Sequence, residues 1–233
     1  MLDLKDLKKE LNKLADKKQA AILAGFFKTG KGQYGEGDIF LGIKVPTQRK
    51  VVRDYENLSL VDLKLLLNTK IHEYRLIALI ILINQYKKTE SRDKKKIVEF
   101  YLRNTKNINN WDLVDLSCPN IIGNYLLDRS RQVLYKLAKS KNLWEKRISI
   151  ISTLAFIREK QFNDTIKISE ILLNDKHDLI HKAVGWMLRE AGKRDLAVLT
   201  SFLDKYSKVM PRTMLRYAIE KLAERERRFY LSK

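Results

Sequence analysis

Cysteine and histidine are scarce in this sequence, and each shortage excludes a class of site. The single cysteine, Cys118, allows neither an internal disulfide framework nor a zinc site made of several cysteines. His177 and His181 are four residues apart and could share a metal, but no third ligand stands out near them. We therefore interpret them as surface histidines and expect no metal site.

Long apolar runs and targeting signals are also missing. The longest apolar run, RLIALIILINQY, is too short to span a bilayer. The first residues, MLDLKDLKKELNK, contain acids in an amphipathic pattern, which is typical of neither a secretory signal nor a transit peptide. The sequence therefore predicts a cytoplasmic protein without a membrane partner.

Acidic residues are too few to balance the basic ones. The chain has 47 Lys and Arg against 28 Asp and Glu, which gives a net charge of +19. Such an excess is typical of proteins that bind a polyanion, either nucleic acid or an anionic membrane surface, although some basic proteins are merely cationic. We favour nucleic acid as the partner.

Proline and glycine are rare and most glycines are clustered, and this favours an all-α fold. Five of the nine glycines fall between Gly25 and Gly37, where we predict a loop. Elsewhere apolar residues recur at steps of three and four, as in amphipathic helices, and strand-like alternation is not sustained. Helix starts are predicted near Pro46, Ser59, Asn109 or Asn110 and Pro119, and Pro211 is predicted to open the last long helix. We expect one all-helical domain over residues 1–233.

Four helical segments share a pattern, a basic residue followed by an apolar helix with small residues. The basic residues are Arg75, Arg147, Lys182 and Arg216, and their separations of 72, 35 and 34 residues indicate a period of about 36. This period predicts a HEAT-like repeat α-solenoid. Cations at equivalent positions would give it a basic concave surface that holds phosphates; alternatively, they are ordinary solvated residues.

Two segments carry features that solenoid packing does not require. Trp111 and Asp115 are four residues apart and so share a helix face. Lys182, Trp186 and Arg189 lie on one face of another helix, opposite its apolar stripe, where an indole could stack or make a cation–π contact. For each of these features a structural alternative stays open. The tryptophans would then be core residues, and Asp115 would be a salt-bridge partner of Arg147.

These segments, in their order and spacing, resemble a known family. The landmarks are FLGIKVPTQRK at 40–50, WDLVD at 111–115, WEKR at 144–147 and KAVGWMLRE at 182–190. They resemble the AlkD-type alkylpurine DNA glycosylases, which are built from HEAT-like repeats, over roughly residues 20 to 220. The loop FFKTGKGQYGEGDIFLGI also looks like the amino-terminal segment of many members.

The resemblance implies a substrate and a mechanism. The substrate is double-stranded DNA with N3- or N7-alkylated purines, whose positive charge weakens the N-glycosidic bond. Asp115 matches the family's aspartate, which stabilises the oxocarbenium-like sugar and positions water. Trp111 and Trp186 match the tryptophans that contact the sugar and the lesion. The resemblance also implies hydrolysis without cofactor or metal and a shallow groove instead of a deep base pocket. We expect a monomer.

The resemblance also assigns residues that bind DNA. Arg147 and Arg189 match family residues that hold phosphates around the lesion. Phe26 and Phe27 lie where some members have a tyrosine. Ala155 lies where some have a lysine, for which Arg158 could substitute. The full predicted DNA-binding set is Arg147, Arg189, Lys182, Arg49, Phe27 and Arg158.

Two other functions compete with the glycosylase. One is a catalytically inactive HEAT-repeat protein that binds distorted or branched DNA, which would have no reason to keep Trp111, Asp115 and Trp186 together. The other is a protein-binding HEAT scaffold, which predicts an apolar or mixed groove instead of a basic one. The sequence favours the glycosylase.

Overall fold

The computed structural model describes residues 3–232. In that range the chain forms a series of helices joined by connecting segments. Outside the helices, one isolated parallel bridge joins Ile39 to Ile71. The predicted all-α class is therefore confirmed. The chain divides into two compact units, Met1–Leu113 and Val114–Lys233. A single domain over residues 1–233 stays a prediction.

The first unit is built around one buried helix. Its helices are α1 (Leu4–Lys13), α2 (Lys17–Phe26), α3 (Val45–Val52), α4 (Leu60–Leu67), α5 (His72–Lys88), α6 (Lys94–Arg103) and the start of α7 (Trp111–Cys118). Helix α5 is buried at every position from His72 to Ile83, and α3, α4 and α6 pack against it. The apolar run in α5 has no polar face, as expected for a helix that is covered on all sides.

Local capping sets the helix starts that the sequence predicts in this unit. Ser59 and Asp62 form a reciprocal capping box at the start of α4. Pro46 lies in the first turn of α3, where its missing N–H is not needed. The side chain of Asn110 accepts a hydrogen bond of 2.8 Å from the backbone N–H of Trp111 at the start of α7. These three predictions are confirmed.

The predicted glycine-rich loop lies between α2 and α3. Its last part is fixed by the buried carboxylate of Glu73 in α5. That carboxylate accepts hydrogen bonds from the backbone N–H groups of Leu41 at 2.9 Å, Gly42 at 2.8 Å and Ile43 at 3.2 Å. The end of the loop is therefore a defined structure attached to the central helix of the first unit.

The second unit is built around α12. Its helices are the remainder of α7, then α8 (Gln132–Ala138), α9 (Leu143–Ser152), α10 (Leu154–Arg158), α11 (Asn163–Leu172), α12 (Asp178–Arg194), α13 (Leu196–Tyr206), α14 (Arg212–Ala218) and α15 (Glu224–Ser232). Helix α12 packs against α9, α11, α13 and α14. The close approach of α14 depends on Gly185, where a Cβ atom would lie 2.5 Å from the carbonyl oxygen of Met214.

Two predicted helix starts in the second unit differ from the structure. Pro119 begins a π-helical segment, Pro119–Gly123, that directly continues α7. Pro211 is the N-cap of α14, but that helix has only seven residues. The prediction that Pro211 opens one long last helix is therefore wrong, because the chain leaves the helical course after Ala218 and α15 begins at Glu224.

None of the helices within residues 3–232 is both long enough and apolar enough to cross a membrane.

Candidate functional site

An aromatic cluster surrounds Trp111 in the first unit. The indole is partly exposed and stacks on Phe27, with ring centroids 5.3 Å apart and planes 19° apart. Phe27 also stacks on Phe40 at 5.1 Å, and Phe26 approaches Trp111 edge-on at 5.9 Å. Phe27 is only 7% exposed, whereas Phe26 is 62% exposed. In this structure Phe27 supports Trp111, and the neighbouring Phe26 is the ring that a ligand can reach.

A buried ionic cluster lies beside these rings. His72 is 2% exposed; its Nδ1 atom is 3.2 Å from Asp38 and its Nε2 atom is 2.8 Å from Asp112. Arg75 pairs with the same Asp38 oxygen at 2.6 Å. Burial alone would lower the pKa of His72, but the hydrogen bonds to Asp112 and Asp38 outweigh it and raise this pKa to about 9. His72 is therefore an imidazolium between two carboxylates at neutral pH.

The catalytic candidate Asp115 belongs to the second unit and is paired with Arg147. Nε of Arg147 donates to one carboxylate oxygen at 2.8 Å and Nη2 to the other at 2.7 Å, while Nη1 donates to the carbonyl of Leu179 at 2.5 Å. The Arg147 side chain is buried, but that of Asp115 keeps 16% of its surface exposed. Such a bidentate pair fixes the carboxylate in one orientation.

This geometry corrects the interpretation of two recurring cations. Arg75 and Arg147, predicted to line a phosphate-binding stripe, are 4% and 5% exposed, and each guanidinium is used in an internal ion pair with an aspartate. The contacts of Arg147 favour the alternative that the sequence left open, a salt bridge with Asp115, over a phosphate contact. Of the other two, Lys182 is partly exposed and Arg216 is exposed.

Helix α12 presents the predicted polar and aromatic face. Lys182, Trp186 and Arg189 are partly exposed, whereas Val184 and Met187 are fully buried. The helical phase expected from the sequence is therefore present. Each cation has an acidic partner in this structure: Lys182 pairs with Asp178 at 2.7 Å, and Arg189 pairs with Glu220.

Sequence reasoning missed Glu190, which organises this face. One of its carboxylate oxygens accepts a hydrogen bond from the indole N–H of Trp186 at 3.2 Å and one from Lys193 at 2.7 Å. The same oxygen lies 3.7 Å from Nε of Arg189. The spacing of four between Trp186 and Glu190 was the available signal, because residues four apart are neighbours on a helix.

The remaining predicted residues lie on exposed surface. Arg49 is exposed on α3 in the first unit, and Arg158 is the exposed last residue of α10 in the second. Ala155, the position that a lysine takes in some relatives, is only 2% exposed. Phe27 and Trp111 are thus brought together within the first unit, and Asp115 and Arg147 within the second. Their roles toward DNA stay predictions.

The sequence matches the model of a protein family. A sequence model of the family described as DNA alkylation repair enzyme matches residues 7–222. The chain belongs to this family, which confirms the resemblance and supports a role in DNA repair and in DNA binding.

The fold is also similar to that of solved structures, one of which comes from Enterococcus faecalis. That structure is described as a predicted DNA alkylation repair enzyme, and it superposes with a TM-score of 0.70 at 15% identity, covering 90% of this chain and 97% of the other. At this identity the likeness shows a shared fold alone. Among curated proteins, none matches the sequence significantly.

Proposed function

We propose that this protein is a DNA glycosylase that hydrolyses the N-glycosidic bond of positively charged N3- or N7-alkylpurines in duplex DNA and leaves an abasic site. The observation that carries the proposal is the carboxylate of Asp115, oriented by the buried Arg147 yet still partly exposed. A carboxylate held in this way has an accessible negative surface with little freedom to reorient.

The chemistry needs such a group because the bond is already weakened by the charge on the base. As the cationic purine departs, positive charge develops on the deoxyribose. A fixed carboxylate stabilises this oxocarbenium-like sugar and orients the attacking water, and electrostatic stabilisation of this type is often the largest single contribution to a rate. The departing base needs little acid assistance, so no further acid is required.

The two tryptophans suit a cationic lesion. An indole face attracts a positive charge, and the attraction grows when water is excluded. Trp111 is partly exposed and backed by Phe27, and Trp186 is partly exposed and held by Glu190. Contacts of this kind discriminate against neutral lesions, which we expect to react poorly. They require no deep base pocket, unlike the common base-flipping strategy.

Binding to the duplex is assigned to four cations and to Phe26, which is exposed where the predicted Phe27 is buried. Arg49 and Arg158 are exposed, and Lys182 and Arg189 are partly exposed on α12. Phosphate contacts of this type add affinity without sequence readout. Such binding suits an enzyme that searches for rare lesions in any sequence.

The test is base release from a duplex that contains N7-methylguanine, measured by chromatography under single-turnover conditions. We expect the unmodified protein to release base above the spontaneous rate. Asp115→Asn keeps an acceptor for Arg147 but removes the charge, and we expect it to slow release by about 10²- to 10³-fold. Asp128→Asn, at an exposed position of the second unit, is the matched control and leaves the rate unchanged.

Binding and folding are measured on the same proteins. Circular dichroism shows whether Asp115→Asn stays folded at the assay temperature, and fluorescence anisotropy gives its affinity for the duplex. If the unmodified protein releases no base above the spontaneous rate while it binds duplex tightly, the glycosylase proposal fails. The alternative, an inactive protein that binds distorted or branched DNA, then takes its place.

A further inference from the structure

The ionic cluster around His72 is not used by the chemistry proposed for Asp115. It consists of Asp38, His72, Arg75 and Asp112, and all four belong to the first unit. The cluster lies next to Trp111 in the sequence and in space, because Asp112 is the residue after the tryptophan and Phe27 contacts both Trp111 and His72.

We propose that His72 is a positioning residue for Trp111: its imidazole, held between Asp38 and Asp112, fixes the first turn of α7 and with it the indole. The inference rests on the proposed function, because it gives Trp111 a role toward the lesion. It adds a residue for which neither the motifs nor the family resemblance assigns a role.

Three separate connections join His72 to Trp111. The first runs through the backbone, since Nε2 of His72 holds Asp112 at 2.8 Å in the first turn of α7. The second runs through the rings, since Phe27 lies 4.9 Å from the imidazole and stacks on the indole at 5.3 Å. The third runs through Asn110, which donates to Asp38 at 3.4 Å and accepts from the backbone N–H of Trp111 at 2.8 Å.

The charges around His72 explain why its proton matters. Asp38 faces it from the glycine-rich loop, Asp112 from α7, and Arg75 from α5, where Nη2 lies 3.4 Å from Nδ1 of the imidazole. Glu73 is adjacent in α5, but its carboxylate binds the backbone of residues 41–43. With His72 protonated, two positive charges match Asp38 and Asp112. Loss of the proton leaves one buried negative charge in excess, which is costly.

The consequence is a defined pH dependence. The pKa of His72 is raised to about 9, so the contact with Asp112 is intact at neutral pH and weakens as the pH rises through that value. Above it, Nε2 and Nδ1 together carry only one proton and cannot donate to both carboxylates. The first turn of α7 then loses one of its attachments, and Trp111 gains freedom.

The experiment uses the full chain labelled with 5-fluorotryptophan. Its three tryptophans give three ¹⁹F signals, and single Trp→Phe variants assign them. In a titration from about pH 7 to about pH 10, we expect the Trp111 signal to move or broaden with a midpoint near 9. The Trp144 and Trp186 signals, from the second unit, serve as internal controls and stay in place.

Two variants make the test specific. Asp112→Asn removes the charge of a carboxylate that raises the pKa of His72, so the midpoint shifts down by about one pH unit or more. His72→Gln abolishes the titration of the Trp111 signal.

The outcomes separate this inference from the proposed function. The ¹⁹F titration is read on the free protein, so it stands or falls whether or not base is released. A Trp111 signal that stays constant over this range overturns the inference, and so does a midpoint that Asp112→Asn leaves in place. Movement of all three signals together reports global unfolding and also contradicts it. If a variant does not fold, the titration of the unmodified protein still tests the inference, because a constant Trp111 signal or a joint movement of all three signals contradicts it.

Discussion

At the scale of single residues, the Glu190 carboxylate contacts three side chains of α12. The same oxygen accepts from the indole N–H of Trp186 and from Lys193, and it lies near Arg189. The hydrogen bond limits rotation of the indole, and thus determines which way its face points. The negative charge also partly neutralises the cations that we assign to phosphate binding. The orientation of the indole and the charge of Glu190 are two separate effects, and substitutions of Glu190 can distinguish them.

We predict opposite results from two substitutions of Glu190. Glu190→Gln keeps a carbonyl acceptor for the indole N–H, so single-turnover base release changes by less than about threefold. Glu190→Ala frees the indole and slows release by about tenfold, since small misplacements of reacting groups are costly. Both variants remove the charge and bind duplex more tightly in fluorescence anisotropy. Equal rate losses in the two variants would show that charge, not orientation, is what Glu190 supplies.

The surroundings of some side chains were predictable from the sequence and those of others were not. The face of α12 that carries Trp186 was predictable, because the helical period alone places it opposite Val184 and Met187. The sequence named Arg147 as a salt-bridge partner of Asp115 only as one of two alternatives, since the choice between an ion pair and a phosphate contact depends on a tertiary distance. Phe26 and Phe27 are a third case. They end α2, and which ring turns inward depends on the course of the following loop.

At the scale of elements, the end of the glycine-rich loop is attached to α5 through Glu73. Gly42 lies where the loop meets both Glu73 and the start of α2. Its φ is +87°, and a Cβ atom there would lie only 2.1 Å from the carbonyl oxygen of Asp16. Gly32, in the same loop, has a similar φ of +76° but no atom within 4 Å of such a Cβ.

This pair of glycines gives a matched test. Gly32→Ala introduces only backbone strain and is expected to lower the free energy of unfolding by about 1 kcal/mol. Gly42→Ala adds a clash with a main-chain atom that cannot move easily, so we expect a loss of about 3 kcal/mol or more. Urea unfolding followed by circular dichroism measures both. If the two losses are equal, the close approach of the loop to α2 does not contribute to stability.

Helix starts were predictable where local chemistry sets them, as with Ser59, Asn110 and Pro46. The end of α14 was not, because helix-favouring residues continue through Glu220, Lys221 and Ala223. The chain turns at Ile219, whose side chain is only 1% exposed. The burial of Ile219 depends on tertiary packing, which no local pattern reports.

At the scale of the whole molecule, the family was predictable because its motifs keep their order and spacing over most of the chain. The match of residues 7–222 to the DNA alkylation repair enzyme family confirms this. The distribution of charge was harder to predict. The net charge of +19 is a sum, and it does not reveal that Arg75 and Arg147 are buried in ion pairs. The surface available to DNA therefore depends on other cations.

The salt dependence of duplex binding tests which cations contact DNA phosphates. Contacts of Arg49, Arg158, Lys182 and Arg189 with four phosphates predict a slope of log K against log salt of about −3 to −4. Arg158→Gln is expected to make the slope less steep by about 1. None of the ion pairs found among residues 3–232 involves Arg158, so the substitution breaks no internal contact of that kind.

Lys95→Gln is the control for that measurement. Lys95 is exposed on α6, is not among the predicted contacts, and carries the same charge. A direct phosphate contact changes the number of released counterions, whereas a change in net charge acts on both variants alike. We therefore expect the slope for Lys95→Gln to match that of the unmodified protein. Equal changes in the two variants would show that the total charge, and not a phosphate contact by Arg158, attracts the duplex.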